Sequence, residues 1–404
     1  MIRTSVLSLL VLGLVLPHVL LAATEASAAE VTILVPGSRD GRDACKAAAE
    51  AGGDHVRCER HLSKALAVAS ELLNAGGAMT LTVRLAAGDY LGDMDGGLYE
   101  LPLFDNQQAD LVFEGGYDAS FGARDPWGTP TRFVTIEGRG GPYWVVARKT
   151  RTRSLVIDGI VWDMAGSNKY DAKSNSLKKG ASSTNKFIKF NYWELSQLTF
   201  VNNVFMNGPH RVTETLVRAA DPAMTIVYEN NVFLNNVIPI KLDTGRYRNK
   251  PKQILVRRNS FLLNWAYNPD PTTGSPGTLD IGSRDAAEEV LIEENLFYAN
   301  FGGAIQIAPD NAPKVSIRNN NFVGNGLLHG NADSEAAAII SVRSSGLQPL
   351  NGLDYIEDIT DMTSGDGTGN VSINPGVGIS MASSAQTADS GSVQATDSWE
   401  NAVR

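Results

Sequence analysis

Short runs of alternating apolar and polar residues recur through the middle of the chain, and each run ends in an asparagine-rich turn. Five segments align on the pattern Asn-x-Phe, and they read LTFVNNVFMNG, TIVYENNVFLNN, ILVRRNSFLLNW, VLIEENLFYANF and VSIRNNNFVGNG. Their phenylalanines are Phe205, Phe233, Phe261, Phe297 and Phe322, at intervals of 28, 28, 36 and 25 residues. Self-similarity at such a period predicts stacked supersecondary units. Three strands of about five residues with short turns need roughly 20–28 residues, so each interval fits one coil of a three-sided β-solenoid.

Charged residues on the outward face of these segments predict the register of the stack. Glu229, Arg257, Glu293 and Arg318 occupy equivalent positions in successive coils. Neighbouring strands of a parallel stack lie about 4.8 Å apart, so opposite charges would meet at every step. The apolar residues two positions apart on the other face are predicted to fill the core.

The recurrent asparagines allow two interpretations. Asn203, Asn231, Asn259, Asn295 and Asn320 could form a row of sugar-binding amides, or a ladder in which each amide bonds its neighbours and the backbone of a tight turn. A substrate site should be local, whereas these residues recur in every coil. The sequence therefore favours the ladder.

The two ends of the chain differ from this repeated middle. Residues 1–28 read as a signal peptide, with a basic start, an apolar run and a small-residue cleavage site. Residues 29–77 are predicted to form an N-terminal cap that contains one amphipathic helix over 61–75. The solenoid is predicted to span 78–375, and 376–404 to be a flexible Ser/Ala-rich tail.

Composition and charge restrict the compartment and the partners. The net charge of −9 argues against general attraction to nucleic acid or anionic membranes. No stretch after the signal peptide is long and apolar enough to span a bilayer. Cys45 and Cys58 are the only cysteines, and in an exported chain we expect them to form a disulfide. The sequence thus predicts an exported monomer, either periplasmic or extracellular.

The Asn-x-Phe coils, the preceding helix and the segment AAGDY resemble the right-handed parallel β-helix superfamily typified by pectate lyases. The resemblance covers roughly residues 60–345, and LVFEGGYDASFGARDP (111–126) is similar to a segment of many secreted bacterial β-helix repeat proteins. It implies an all-β, right-handed parallel β-helix (three-sided solenoid) with an N-terminal capping helix. It also implies cleavage of acidic polysaccharide by β-elimination, with Arg or Lys as base and frequently with Ca²⁺.

A second strand series, which follows each phenylalanine, is the predicted place for chemistry because its outward residues differ from coil to coil. It comprises TLVRAAD, IPIKLDT, TLDIGSR, GAIQIAP and AIISVRS. Aligned on apolar residues that include Ile240 and Ile281, this series makes Arg218 and Lys241 neighbours in adjacent coils. The flanking outward columns then contain Asp243 with Arg284, and Asp280 with Gln306.

These residues supply the groups that β-elimination needs. A cation must neutralise the uronate carboxylate, and a Lys or Arg with a lowered pKa can remove the neighbouring proton. Arg218 and Lys241 are the predicted base and neutraliser, and Asp243 and Asp280 are predicted calcium ligands or general acids. The predicted substrate-binding residues are Lys189, Asn191, Trp193, His210, Arg211, Arg284 and Gln306.

Several alternatives remain open at this stage. Arg218 and Lys241 could simply pair with Asp243 and Asp280 on a solvated face. Two aspartates could also serve a glycoside hydrolase. A non-catalytic surface or adhesion solenoid could bind glycans or proteins, with a basic run over 241–258 as a polyanion site. The scarcity of histidine and cysteine argues against zinc or copper storage.

Overall fold

The structure is a computed structural model. It describes residues 28–92, 99–136, 144–166, 187–208, 217–242, 251–264, 278–281, 287–300, 304–307, 314–323 and 325, with the backbone of six further strand segments at 170–171, 176–177, 213–214, 340–343, 353–355 and 371–373. The predicted signal peptide, apart from residue 28, and the predicted tail lie outside the described residues. Among the described residues, no helix has the length and apolar character required to cross a bilayer.

Two α-helices and 32 strands make up the secondary structure of the described residues. The helices are α1 (Arg42–Gly52) and α2 (Leu62–Asn74), with a 3₁₀ turn at Gly53–His55. The strands are β1 (Ala29–Val35), β2 (Val56–Cys58), β3 (Met79–Ala86), β4 (Gly88–Tyr90), β5 (Tyr99–Leu101), β6 (Asp105–Tyr117), β7 (Thr131–Val134), β8 (Trp144–Val146), β9 (Arg151–Asp158), β10 (Ile160–Asp163), β11 (Tyr170–Asp171), β12 (Ser176–Leu177), β13 (Ile188–Lys189), β14 (Glu194–Leu195), β15 (Gln197–Val201), β16 (Val204–Met206), β17 (Thr213–Glu214), β18 (Arg218–Ala219), β19 (Thr225–Glu229), β20 (Val232–Leu234), β21 (Ile240–Leu242), β22 (Gln253–Arg257), β23 (Ser260–Leu262), β24 (Leu279–Ile281), β25 (Glu289–Glu293), β26 (Leu296–Tyr298), β27 (Ile305–Ile307), β28 (Val315–Arg318), β29 (Asn321–Val323), β30 (Ile340–Arg343), β31 (Leu353–Tyr355) and β32 (Val371–Ile373).

Three sheets built mainly of parallel strands dominate the molecule, which confirms the all-β prediction. The first sheet runs β2-β1-β3-β6-β9-β15-β19-β22-β25-β28, with β14 and β18 beside it; the second runs β32-β29-β26-β23-β20-β16-β10-β7-β4; and the third runs β17-β21-β24-β27-β30-β31. Each repeat from β19 to β30 places one strand in each of these sheets. The antiparallel strand pairs are β30 with β31 and β11 with β12.

The predicted register of the first sheet is confirmed. Glu229 pairs with Arg257, Arg257 with Glu293, and Glu293 with Arg318. Nη2 of Arg257 lies 2.8 Å from Oε2 of Glu229, and Nε of Arg318 lies 3.1 Å from Oε2 of Glu293. Alternating charges therefore meet along the outer face, as the sequence predicted.

The phenylalanines of the repeats form a stack inside the core. The four successive ring pairs from Phe205 to Phe322 have centroids 4.6–5.1 Å apart and planes within 11° of parallel. All five side chains are fully buried. Such stacked pairs add about 0.5–1.5 kcal/mol each beyond their burial.

The asparagines form the predicted ladder, and a second ladder accompanies it. Oδ1 of Asn231 accepts hydrogen bonds from the backbone N–H and the side-chain amide of Asn203, both at 3.0 Å. Nδ2 of Asn231 donates to the Phe200 carbonyl and to Asn259 Oδ1, both at 2.9 Å. The second ladder, which the sequence analysis missed, comprises Asn236, Asn264, Asn300 and Asn325.

Several other asparagines of the repeats lie directly before the ladder asparagines, in tight turns. The residue that precedes each asparagine of the first ladder has a left-handed backbone, with φ of 53° at Asn230 and 55° at Arg258. Asparagine tolerates this conformation better than most residues. The Asn-Asn pairs thus combine a turn residue with a ladder residue.

The N-terminal region contains one more helix than predicted. Helix α2 agrees with the helix expected at 61–75 and buries Leu62, Leu66, Ala69 and Leu73. Helix α1 was missed because Cys45 is its only buried side chain, so the sequence lacks an apolar stripe there. Cys45 and Cys58 form the predicted disulfide, with their Cα atoms 5.7 Å apart.

Candidate functional site

The register of the third sheet corrects the predicted neighbours of Lys241. Lys241 pairs with Glu214 on one side and Asp280 on the other, and Asp280 pairs with Gln306. Arg218 instead lies on β18 and pairs with Glu194 of β14, beside the first sheet. Ile240 aligns with Leu279, two residues from the predicted partner. A shift of two keeps every side chain on its face, so alternation alone could not detect it.

The polar column of the third sheet is less accessible than predicted. Asp280 and Gln306 are only 8% and 2% exposed, although they alternate with inward-facing isoleucine and leucine side chains. Strands β24 and β27 are therefore buried on both faces. This contradicts the expectation that Asp280 and Gln306 lie on an open substrate-binding or solvated face.

The other predicted site residues are exposed, buried or outside the described part of the chain. Lys189 is exposed on β13. Trp193 is not a surface residue as expected, because it is only 1% exposed and its Nε1 donates to Thr152 Oγ1 at 3.1 Å. The predicted residues that lie outside the described part of the chain are Asp243, His210, Arg211 and Arg284. The described residues contain no group of three or more His, Cys, Asp or Glu side chains that could hold a metal ion.

The basic run over 241–258 is also more neutral than the sequence indicated. Arg257 pairs with Glu229, and Nε of Arg258 lies 2.7 Å from Oε2 of Glu294. Three of its basic residues, at 246, 248 and 250, lie outside the described residues. Lys252 is exposed and forms no ion pair with any described residue.

Two of the predicted residues, Arg218 and Asn191, line a cleft of about 620 Å³. We call it the basic cleft, and its walls are Asp105, Arg148, Lys149, Thr150, Arg151, Asn191, Tyr192, Glu194 and Arg218. These residues come from the start of β6, the turn between β8 and β9, the turn between β13 and β14, and the start of β18. Parallel stacking brings these sequence-distant segments together.

Left-handed turns build the walls of the basic cleft. Lys149, Asn191 and Tyr192 have φ values of 68°, 46° and 67°. A bulky residue in this region costs of order 1–3 kcal/mol, so the surroundings must hold it there. Nδ2 of Asn191 donates to the Val146 carbonyl at 2.5 Å, and Trp193, which follows Tyr192, is anchored in the core. The two successive left-handed residues shift the inward–outward alternation by one position. Tyr192 therefore points outward and Trp193 inward, the reverse of the prediction.

Positive charge dominates the basic cleft. Its four cationic side chains face two carboxylates, and Arg151 Nη2 lies 2.6 Å from Asp105 Oδ1. The second carboxylate, Glu194, accepts a hydrogen bond of 2.6 Å from Gln107 Nε2. Arg148 and Lys149 form no ion pair with any described residue. The cleft thus retains unpaired cations on a protein whose net charge is −9.

An aromatic platform lies beside these cations. Tyr192 is 38% exposed, and the Arg218 guanidinium lies 5.7 Å from the centre of its ring. Such a cation–π contact contributes about 0.5–1 kcal/mol at an exposed site and favours a position of the guanidinium over the ring.

Sequence reasoning missed most of this cleft. The available signal was the segment ARKTRTR (147–153), which carries four basic residues within six positions. These basic residues were not predicted as a site because they lie outside the second strand series, to which the chemistry was assigned. Comparisons with protein-family models, with curated proteins and with solved structures find no match for this chain.

Proposed function

We propose that the chain is an exported, right-handed, three-sided parallel β-helix related to the pectate lyases, and that it binds an acidic, uronic-acid-containing polysaccharide in the basic cleft. The recurrence of one strand per repeat in each of three sheets supports the three-sided winding. The disulfide fits an oxidising compartment outside the cytoplasm.

The unpaired cations of the basic cleft carry this proposal. Arg148 and Lys149 have no carboxylate partner among the described residues, and guanidinium and ammonium groups bind uronate carboxylates by charge-assisted hydrogen bonds. Tyr192 offers an exposed ring on which the apolar face of a sugar can stack. The volume of about 620 Å³ lies within the range of roughly 300–1,000 Å³ for small-ligand sites.

Cleavage by β-elimination is a second candidate in the same cleft, and the position of Arg218 favours it. A bound uronate would place its carboxylate among the cations, which would lower the free energy of the enolate-like anion formed when the C5 proton leaves. Arg218 would accept the C5 proton as the base, the electron pair of that C–H bond would form the C4–C5 double bond as the C4–O bond breaks, and the leaving oxygen would take a proton from water. Lys241 has no part in this proposal, because it belongs to the third sheet.

Binding and cleavage can be tested on one panel of uronic-acid polymers, with a neutral glucan as the control ligand. We expect Arg148→Gln/Lys149→Gln to weaken binding by about tenfold or more, since it removes two charge-assisted contacts. Lys252→Gln is the matched control, because it removes an exposed cation of the basic run that lies outside the cleft and has no ion pair with the described residues.

The outcomes separate three cases. A rise in ultraviolet absorbance from unsaturated product would assign a lyase, and binding without that rise would assign a non-catalytic adhesion or surface protein. Equal affinity of the double variant and the wild type, or loss of affinity in Lys252→Gln alone, would contradict the basic cleft as the site.

A further inference from the structure

A second cleft, of about 300 Å³, lies where the first strand and the two helices meet. We call it the N-terminal cleft. Its cationic residues are Arg39, Arg42 and Arg60, and the polar residues Ser38, His61 and Ser63 also line it. It shares no residue with the basic cleft, so conclusions about it do not depend on glycan binding.

A disulfide links the two segments that carry Arg42 and Arg60. Arg42 is the first residue of α1, and Cys45 follows it by one helical turn. Cys58 ends β2, two residues before Arg60. The Cys45–Cys58 disulfide therefore ties the segment that carries Arg42 to the segment that carries Arg60.

The floor of the N-terminal cleft is rigid. Tyr90 is 5% exposed, and its hydroxyl donates to the Ala86 carbonyl at 2.8 Å and lies 3.1 Å from the Val35 carbonyl. Burial raises the pKa of Tyr90 well above its usual range, so its hydroxyl stays neutral. A neutral floor leaves the arginines to set the charge of the cleft.

The arginines of the N-terminal cleft lack acidic partners. Arg39, Arg42 and Arg60 form no ion pair with any residue in the described ranges. The Nε atom of Arg42 is buried without an acceptor, although buried donors in proteins nearly always have one.

The one carboxylate among the residues that line the N-terminal cleft, Asp89, already forms an ion pair. Nε and Nη2 of Arg132 donate to the two carboxylate oxygens of Asp89 at 2.8 and 2.9 Å. The hydrogen bond from Arg132 holds the pKa of Asp89 below its ordinary value, so this carboxylate stays ionised and paired. Asp89 therefore does not neutralise the arginines of the N-terminal cleft.

We propose that the N-terminal cleft binds a tetrahedral oxyanion, as free phosphate or as the phosphate of a small monoester. Arginine forks match the oxygens of phosphate, and phosphate offers at least three acceptor oxygens and up to two charges at neutral pH. A single carboxylate offers only two oxygens and one charge for three guanidinium groups. The volume of about 300 Å³ limits the attached group to a small one.

Calorimetric titration of the full chain with inorganic phosphate and with glycerol phosphate at low ionic strength tests this site. We expect saturable one-site binding, with Arg42→Gln and Arg60→Gln each weakening it by about tenfold or more, because each removes charged hydrogen bonds. Arg57→Gln is the matched control, since Arg57 is exposed on the neighbouring strand and outside the cleft.

A second measurement, the melting temperature, distinguishes loss of binding from poor folding of a variant. Phosphate should raise the melting temperature of the wild type, because a ligand that binds only the native state stabilises it. Tighter binding of glycerol phosphate than of phosphate would assign an ester ligand, and the reverse would assign the free ion. Absence of saturable binding by both, or unchanged affinity in Arg42→Gln and Arg60→Gln, would overturn the proposal.

Discussion

The asparagine ladders and the basic cleft use polar side chains in opposite ways. In the ladders, Asn203, Asn231 and Asn259 are buried, and each bonds to the next repeat and to the backbone. In the cleft, Arg148 and Lys149 have no ionic partner among the described residues. In the repeated asparagines, polar groups satisfy one another, whereas in the cleft two cations remain without an ionic partner in the described part of the chain. This difference marks the first region as architecture and underlies our proposal that the second is a recognition site.

Replacement of a ladder residue should give the largest effect. Asn231→Ala removes the acceptor of the Asn203 backbone N–H and the donor to the Phe200 carbonyl, both buried. Each orphaned buried group costs about 1–3 kcal/mol, so we expect the free energy of unfolding to fall by about 3–5 kcal/mol. Urea unfolding measures this change.

The adjacent residue provides the matched control for the ladder. Asn230 is exposed and has a φ of 53°, so Asn230→Gly keeps the backbone conformation and removes an amide outside the buried ladder. We expect a change below about 1 kcal/mol. If Asn230→Gly destabilised the protein as much as Asn231→Ala, burial of the ladder would not explain its effect.

Reversing one charge in the Glu/Arg column should have a smaller effect. Arg257→Glu would align three glutamates in successive strands, in place of alternating charges. Because these side chains are partly solvated, we expect a loss of about 1–2 kcal/mol that decreases as salt is added. Urea unfolding at low and high salt gives both values, and a loss independent of salt would argue against charge repulsion.

An exposed ion pair should contribute still less, and in a pH-dependent manner. The hydrogen bond from Arg132 lowers the pKa of Asp89 in the folded state. The pair therefore stabilises the fold above the unfolded-state pKa of about 3.9, and this contribution is lost as pH falls through the lowered folded-state value.

The variant Asp89→Asn makes that contribution measurable. Exposed pairs contribute about 0.2–1 kcal/mol, so we expect Asp89→Asn to be less stable than the wild type by this amount at neutral pH. The difference should disappear in acid, once Asp89 is protonated in both states. A difference that persisted in acid would indicate lost packing instead of a lost ion pair.

The sequence predicted the first sheet well because two independent patterns fix it. The recurrence of Asn-x-Phe sets the repeat, and the charges at Glu229 and Arg257 exclude other registers. The third sheet also has opposite charges in register at Glu214, Lys241 and Asp280, but its segments carry no recurrent Asn-x-Phe to anchor them, so a shift of two residues at Ile240 was invisible to alternation. Helix α1 was missed for a related reason, since it buries only Cys45.

The basic cleft as a whole was not predicted, although the basic segment at 147–153 was a signal for part of it, because turns create it. Asn191 and Tyr192 adopt left-handed conformations that reverse the alternation on which the prediction relied. Arg148 and Arg218 belong to distant segments, and only the three-dimensional stacking brings them to one cleft. Alternation could therefore predict Arg218 as an outward residue but not its neighbours.

Replacement of a cleft residue should leave stability nearly unchanged. Arg148 contributes no ion pair to the described structure, so Arg148→Gln should alter the free energy of unfolding by less than about 0.5 kcal/mol. The same variant should bind acidic glycan more weakly than the wild type. A large loss of stability in Arg148→Gln would show that the cleft is part of the architecture.

The most direct test of the central claim is to measure unfolding free energy and glycan affinity on the same preparations of Asn231→Ala and Arg148→Gln/Lys149→Gln. Below the melting temperature of both variants, we expect Asn231→Ala to lose stability by about 3–5 kcal/mol and to retain the wild-type affinity for a uronic-acid polymer. The cleft variant should retain stability and lose about tenfold or more in affinity. The opposite pattern, in which the folded ladder variant loses affinity and the cleft variant loses stability, would contradict the separation of architecture from recognition.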